Sequence, residues 1–203
     1  MTTALALLLT IVILQSLYIV SLQRSHLHPG VKTQQAGRLY LAACSLLRVP
    51  GALVAFDVRG MHSLNSELGY SNANRVLSRI LGVCSSRRDI VSVWGGDEFV
   101  IFMPFSSAET ADNLVKRLLA KTRCLSEELP AETRANLAQR TNNIIDGIHL
   151  AIAVVDETNN ALRAASEAVD KTEHLKEHGA QITGRRETTG NVGTLVGHLG
   201  MAK

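Results

Sequence analysis

The chain has 203 residues, 46% of them hydrophobic and 19% charged, with a formal net charge of +3. That length holds one domain with appendages and a sizeable core. The small charge, with no Lys/Arg block and no interleaved aromatic patch, argues against a nucleic-acid partner.

The first charged residue is Arg24, and residues 4–22 are almost entirely apolar. As a helix at ~1.5 Å per residue this stretch spans roughly 28 Å, close to a bilayer's hydrocarbon thickness. A cleaved signal peptide and a buried core helix are the rival readings. The uncharged Met1-Thr2-Thr3 start and the Ser21-Leu22-Gln23-Arg24 exit suit a signal peptide poorly. The expectation is a single transmembrane anchor over residues 1–24. Arg24, Lys32 and Arg38 follow it, so the positive-inside rule puts the remainder in the cytoplasm, at the inner (cytoplasmic) membrane. Cys44, Cys84 and Cys124 are widely spaced and show no zinc pattern, which predicts buried structural thiols in a reducing compartment.

Residues 25–49 read as a juxtamembrane linker. It has a break at Pro29-Gly30, His26 and His28 in solvent, and a helix over residues 32–47. Residues 52–58 form an apolar run of strand length. Asp57 sits near its end, where burial is costly unless the carboxylate is paired or metal-bound. A short helix or turn follows at 63–69, then a helix over 71–86 that Ser71 can cap. The runs 90–94 and 99–103 are rich in β-branched and aromatic residues and flank Gly95-Gly96-Asp97-Glu98. That pattern predicts a hairpin, with the glycines supplying positive φ and a bare backbone that a bulky ligand can approach. Asp97 and Glu98 are hard oxygen donors of the kind that suit Mg²⁺ with a phosphate.

A long helix is predicted over 107–129, stopped by Pro130, followed by a polar loop or frayed helix at 132–143. Residues 144–155 read as a strand and 162–178 as a helix. His174 and His178 share a face of that helix, but no third metal ligand accompanies them. Residues 181–203 are weakly patterned, with at most a short edge strand at 194–196. The order predicts an α/β sandwich with a central mixed sheet flanked by helices. The hairpin lies inside an otherwise crossover-connected sheet.

Gly95-Gly96-Asp97-Glu98-Phe99 spells the signature of the GGDEF (diguanylate cyclase) family; the resemblance extends over roughly residues 50–179, within a domain expected over residues 50–182. Residues 183–203 then form a flexible tail. Phe56-Asp57-Val58 resembles the family's metal-binding strand, and Leu64-Asn65-Ser66-Glu67-Leu68-Gly69 resembles its I-N-D-x-x-G segment. The resemblance implies a nucleotidyl-cyclase-like fold. It also implies Mg²⁺ held by Asp57, Asp97 and the Val58 carbonyl, with Asp97 and Glu98 as the catalytic residues. Asn65 and Asn74 would read guanine, Gly95 and Gly96 would line the nucleotide, and Lys176 would reach a phosphate. Two GTP molecules, one on each subunit of a homodimer, would condense to cyclic di-GMP and pyrophosphate.

The chain departs from the family pattern at several positions. Asn74 stands where the family usually has Asp, so a neutral acceptor replaces a charged one. Met61-His62 replaces Phe-Lys, and Val93 replaces an Arg. Ser86 takes the Arg position of the product-inhibition motif while Asp89 is kept, and only Ala168, Lys176 and Gly179 remain of the last family motif. Two alternatives stay open: a degenerate module that binds GTP or a protein partner without turnover, and an adenylate-cyclase-like relative using another nucleotide.

Overall fold

A computed structural model describes residues 10–19, 28, 30–84, 88–140, 149–177, 187–188 and 193–194. The main body consists of α1 (Gln34–Leu46), β1 (Gly51–Arg59), α2 (Met61–Leu68), α3 (Tyr70–Leu81), β2 (Ile90–Val93), β3 (Glu98–Pro104), α4 (Ala108–Glu127), α5 (Ala131–Arg140), β4 (His149–Thr158) and α6 (Ala161–Glu177). A two-residue pairing of β5 (Glu187–Thr188) with β6 (Gly193–Thr194) forms a separate two-stranded sheet, with β6 close to β4. It takes the place of the edge strand expected at 194–196.

The sheet order is β2-β3-β1-β4, and every neighbouring pair is antiparallel. The two expected crossovers are present. β1 reaches β2 through α2 and α3, and β3 reaches β4 through α4 and α5, each arriving parallel to its start with one strand between. This interleaving is a split βαβ arrangement. It corrects the expectation of a mixed sheet, because each crossover skips a strand and leaves antiparallel neighbours. The only parallel element among the described residues is a bridge between Lys32 and Ser92 at the β2 edge.

Alternation along the strands builds a core on each face. Val54, Phe56, Phe99, Ile101 and Val154 face Leu77, Ile80, Leu114 and Leu118 of α3 and α4. Leu53, Ala55, Val100, Phe102 and Ala153 face Leu41 of α1 and the row Ala161, Ala164, Ala165 and Ala168 of α6. The alanine row lets α6 lie close against the sheet.

Several boundaries differ from expectation. α3 begins at Tyr70 and has no side-chain cap; Gly69, at φ +76°, turns the chain directly from α2 into α3, so Ser71 is not the cap. Residues 132–143, expected as loop or frayed helix, contain most of α5, which is polar on most sides and anchored by Leu137, 3% exposed. His28, expected in solvent, is buried against Phe99 with ring centroids 5.6 Å apart, and its Nδ1 lies 3.2 Å from Ser78 Oγ. Burial lowers its pKa. All three cysteines are free: Cys84 is buried and its thiol is pushed up to about 12 by desolvation, Cys44 is half-buried and Cys124 is exposed.

Among the described residues no helix is long and apolar enough to cross a membrane. Residues 10–19 of the expected span are helical and expose Ile11, Val12, Ile13, Leu14, Leu17, Tyr18 and Ile19. Residues 4–9 and 20–22 lie outside the described residues, so the expected transmembrane helix is not supported by the structure.

Candidate functional site

The site is built where β1 ends and β3 begins. Asp57 pairs in register with Glu98 on one side and with Ala151 of β4 on the other. Strand alternation puts Asp57 on the face of Leu53 and Ala55, and Glu98 on the face of Val100 and Phe102, which is the same face. Two carboxylates therefore stand directly opposite each other, with Cβ atoms of such pairs roughly 4.5–5.5 Å apart and their like charges mutually unfavourable. Asp57 is completely buried, whereas Asp97 and Glu98 are half-buried. A divalent cation is the natural complement of opposed oxygen donors.

Asp97 reaches the same place through its backbone. The Val58 N–H donates to the Asp97 carbonyl at 3.4 Å. A residue's N–H and C=O point the same way in an antiparallel strand, so the Val58 carbonyl faces the turn. The donor chemistry expected of Asp57, Val58, Asp97 and Glu98 thus converges at one end of the sheet. Among the described residues, however, no group of three or more His, Cys, Asp or Glu is arranged to hold a metal. The donors fit Mg²⁺ in kind without forming a finished cage.

The glycines act by size. Neither Gly95 nor Gly96 has positive φ, which corrects the turn argument from sequence. A Cβ on Gly95 would run into the Glu98 carboxylate, with Cδ at 3.0 Å, whereas a Cβ on Gly96 would meet nothing within 4 Å. Gly95 therefore makes room for Glu98, and Gly96 is open to whatever approaches from outside. The turn is closed by the Trp94 N–H donating to the Glu98 carbonyl at 2.8 Å.

Asn65 lies on α2, and its Oδ1 is buried with no hydrogen-bond partner among the described residues. An acceptor left in that state is costly, and a ligand N–H would relieve it. Asn74 lies on α3 and, with Arg75, Ser78 and Arg79, lines a cavity of about 350 Å³. Arg79 makes a bidentate pair with Glu128, 2.5 and 3.0 Å. A hollow of about 470 Å³ around Pro50, Gly51, Phe105 and Thr158 lies at the opposite end of the sheet, remote from the carboxylates.

Lys176 belongs to the last turn of α6, and its side chain is outside the described residues, as are Ser86, Gly179, His174 (side chain) and His178. Arg59 escaped the sequence reading. It sits two residues after Asp57, on the same face, and its guanidinium donates to the Leu175 carbonyl at 2.7 Å. That bond brings the C-terminal end of α6 to the end of the sheet that carries the carboxylates. The i, i+2 spacing of Asp57 and Arg59 on a predicted strand was the available signal.

A family model described as "Diguanylate cyclase, GGDEF domain" matches residues 37–182. The diguanylate cyclase DgcP of Pseudomonas aeruginosa is 25% identical over 119 residues, 57% of this chain and 18% of that protein, so the chain spans under a fifth of that relative. Among solved structures, the GGDEF domain of DgcB from Caulobacter crescentus in complex with c-di-GMP is similar at a TM-score of 0.59 and 14% identity, over 78% of this chain and 92% of that one. The diguanylate cyclase SiaD in complex with its activator SiaC, from Pseudomonas aeruginosa, has a TM-score of 0.60 at 16% identity, over 88% of this chain and 67% of that one. At such identities the structures show a shared fold. The family match is broader in kind: it takes in the strand with Asp57, the turn with Asp97 and α6, and on that ground the chain belongs to the diguanylate cyclase GGDEF-domain family.

Proposed function

We propose that the chain is a diguanylate cyclase that joins two GTP molecules into cyclic di-GMP. In each half-reaction a 3′-hydroxyl oxygen attacks the α-phosphorus of the other GTP, the bond from that phosphorus to the bridging oxygen breaks, and pyrophosphate leaves. The proton of the hydroxyl passes to solvent or to a nearby carboxylate. The observation that carries this reading is the in-register opposition of Asp57 and Glu98, with Asp97 alongside on the bare turn. Asp57, Asp97 and the Val58 carbonyl, with help from Glu98, would hold Mg²⁺, which would supply charge neutralisation for the triphosphate and for the attacking hydroxyl. Gly96 leaves the turn open for phosphates, Asn65 Oδ1 accepts from a guanine N–H, Asn74 lines the same nucleotide, and Lys176 pairs with a phosphate oxygen. One subunit holds one GTP, so the reaction needs a homodimer with two sites face to face. The uncharged stretch 4–22 supports a single-pass anchor in the inner membrane with this domain on the cytoplasmic side.

A second reading has its own support. Asn74, Val93 and His62 depart from the family pattern at positions that grip the substrate, which suits a module that binds GTP or a partner without turnover. The test is the full chain incubated with GTP and Mg²⁺. Under the first reading cyclic di-GMP forms, and Asp97→Ala lowers the rate at least about 100-fold, since removing such a ligand withdraws most of the charge stabilisation. GTP binding with no product from the wild type favours the second.

A further inference from the structure

The first helix of the main body, α1, lies against the residue that opens the turn. Gln34 Nε2, in the first turn of α1, donates to the Trp94 carbonyl. One helical turn later the Arg38 guanidinium lies 4.9 Å over the Trp94 ring. Residues 34 and 38 are i, i+4 neighbours on one helix face. Gly37 and Leu41 continue that face: Leu41 is fully buried, and Gly37 touches Ser92 so closely that a Cβ there would collide with the serine's Cβ and Oγ. The segment leading into α1 is pinned too, with the Lys32 N–H donating to the Val91 carbonyl at 2.9 Å and the Val93 N–H to the Lys32 carbonyl at 3.1 Å.

Trp94 is the residue immediately before Gly95-Gly96-Asp97-Glu98. Its N–H is spent inside the turn, on the Glu98 carbonyl, while its carbonyl and its ring are held by α1. Its side chain is 6% exposed although it stands at the end of an edge strand. A displacement of α1 would thus release both Trp94 groups at once and loosen the hydrogen bond that sets Glu98. We infer that Gln34 and Arg38 are positioning residues for the Asp97–Glu98 turn, acting through the carbonyl and the ring of Trp94. The clamp stands on geometry alone; its effect on turnover rests on the function proposed above.

Trp94 is the only tryptophan in the chain, so its emission and its quenching by acrylamide report this contact directly. In the Gln34→Ala/Arg38→Ala double variant the quenching constant is expected to rise about threefold, with the circular dichroism of the fold retained, as the ring loses its cation and its cover. The product rate falls roughly tenfold while the KM for GTP moves less than about threefold, the pattern of a misplaced but intact site. Arg38→Lys, which keeps a cation on the ring, recovers most of the rate that Arg38→Ala loses; if the double variant does not fold, this pair of single variants decides. Unchanged quenching overturns the inference, and so does an exposed Trp94 with a wild-type rate. A wild type that binds Mg²⁺–GTP without turnover refutes the proposed function alone, and the quenching of Trp94 then decides: raised in the double variant it supports the clamp, unchanged it overturns it. A wild type that neither binds nor turns over GTP refutes the proposed function, and the quenching of Trp94 decides the clamp in the same way.

Discussion

Gly96→Ala separates what the turn needs for folding from what it needs for function. Gly96 is exposed, its φ lies outside the left-handed region, and a Cβ built there meets no atom within 4 Å. The substitution therefore adds no clash and no backbone strain to the free protein. It removes conformational freedom from the unfolded chain, which stabilises compatible sites by ~0.4–1 kcal/mol. For a protein of this size that corresponds to a rise in Tm of about 1–4 °C. If triphosphate packs against the bare backbone, the same methyl group intrudes on the ligand, and overpacking of this kind costs about 1–3 kcal/mol, roughly 5-fold to 150-fold in affinity. Stability and affinity should move in opposite directions. The assays are thermal unfolding of the nucleotide-free protein and titration with GTP and Mg²⁺, with Gly95→Ala beside it as a variant that displaces the Glu98 carboxylate. Wild-type affinity in Gly96→Ala would show that the ligand does not sit on this turn, and a lower Tm would show that the turn's conformation, not its openness, demands glycine.

His28 supplies a pH prediction. Burial lowers its pKa below the ordinary 6.5, so the unfolded chain takes up the proton more readily, and stability is full above about pH 6.5 and declines as the pH falls through the window down to the folded value. Denaturant midpoints on either side of that window should show the slope in the wild type and lose that contribution in His28→Gln. Gly37→Ala forces α1 away from Ser92, whose Cβ cannot yield, and should destabilise by about 1–3 kcal/mol in chemical unfolding while raising the quenching of Trp94. Asn74→Asp restores a charged acceptor for two guanine N–H groups and should raise the preference for GTP over ATP roughly tenfold in competition binding; an unchanged preference would remove residue 74 from base reading.

What the sequence made legible is what nearest neighbours decide. The hairpin around Gly95-Gly96 follows from two β-branched runs and a gap, and the buried faces of α3 and α4 follow from apolar spacing. Asp57 could be singled out because a carboxylate at the end of an apolar strand has few stable fates. What stayed hidden depends on partners far away along the chain. α5 shows little apolar periodicity because Leu137 is its main buried anchor, and an Asn136 bond to Glu67 of α2 does part of the holding. His28 reads as a linker histidine until Phe99, seventy-one residues later, folds over it. The strand order is likewise a global property. Each crossover passes over one strand, and only that interleaving sets Asp57 opposite Glu98; had β1 paired with β2 instead, the same five-letter turn would carry its acids to the edge of the sheet, one strand away from the carboxylate they face here.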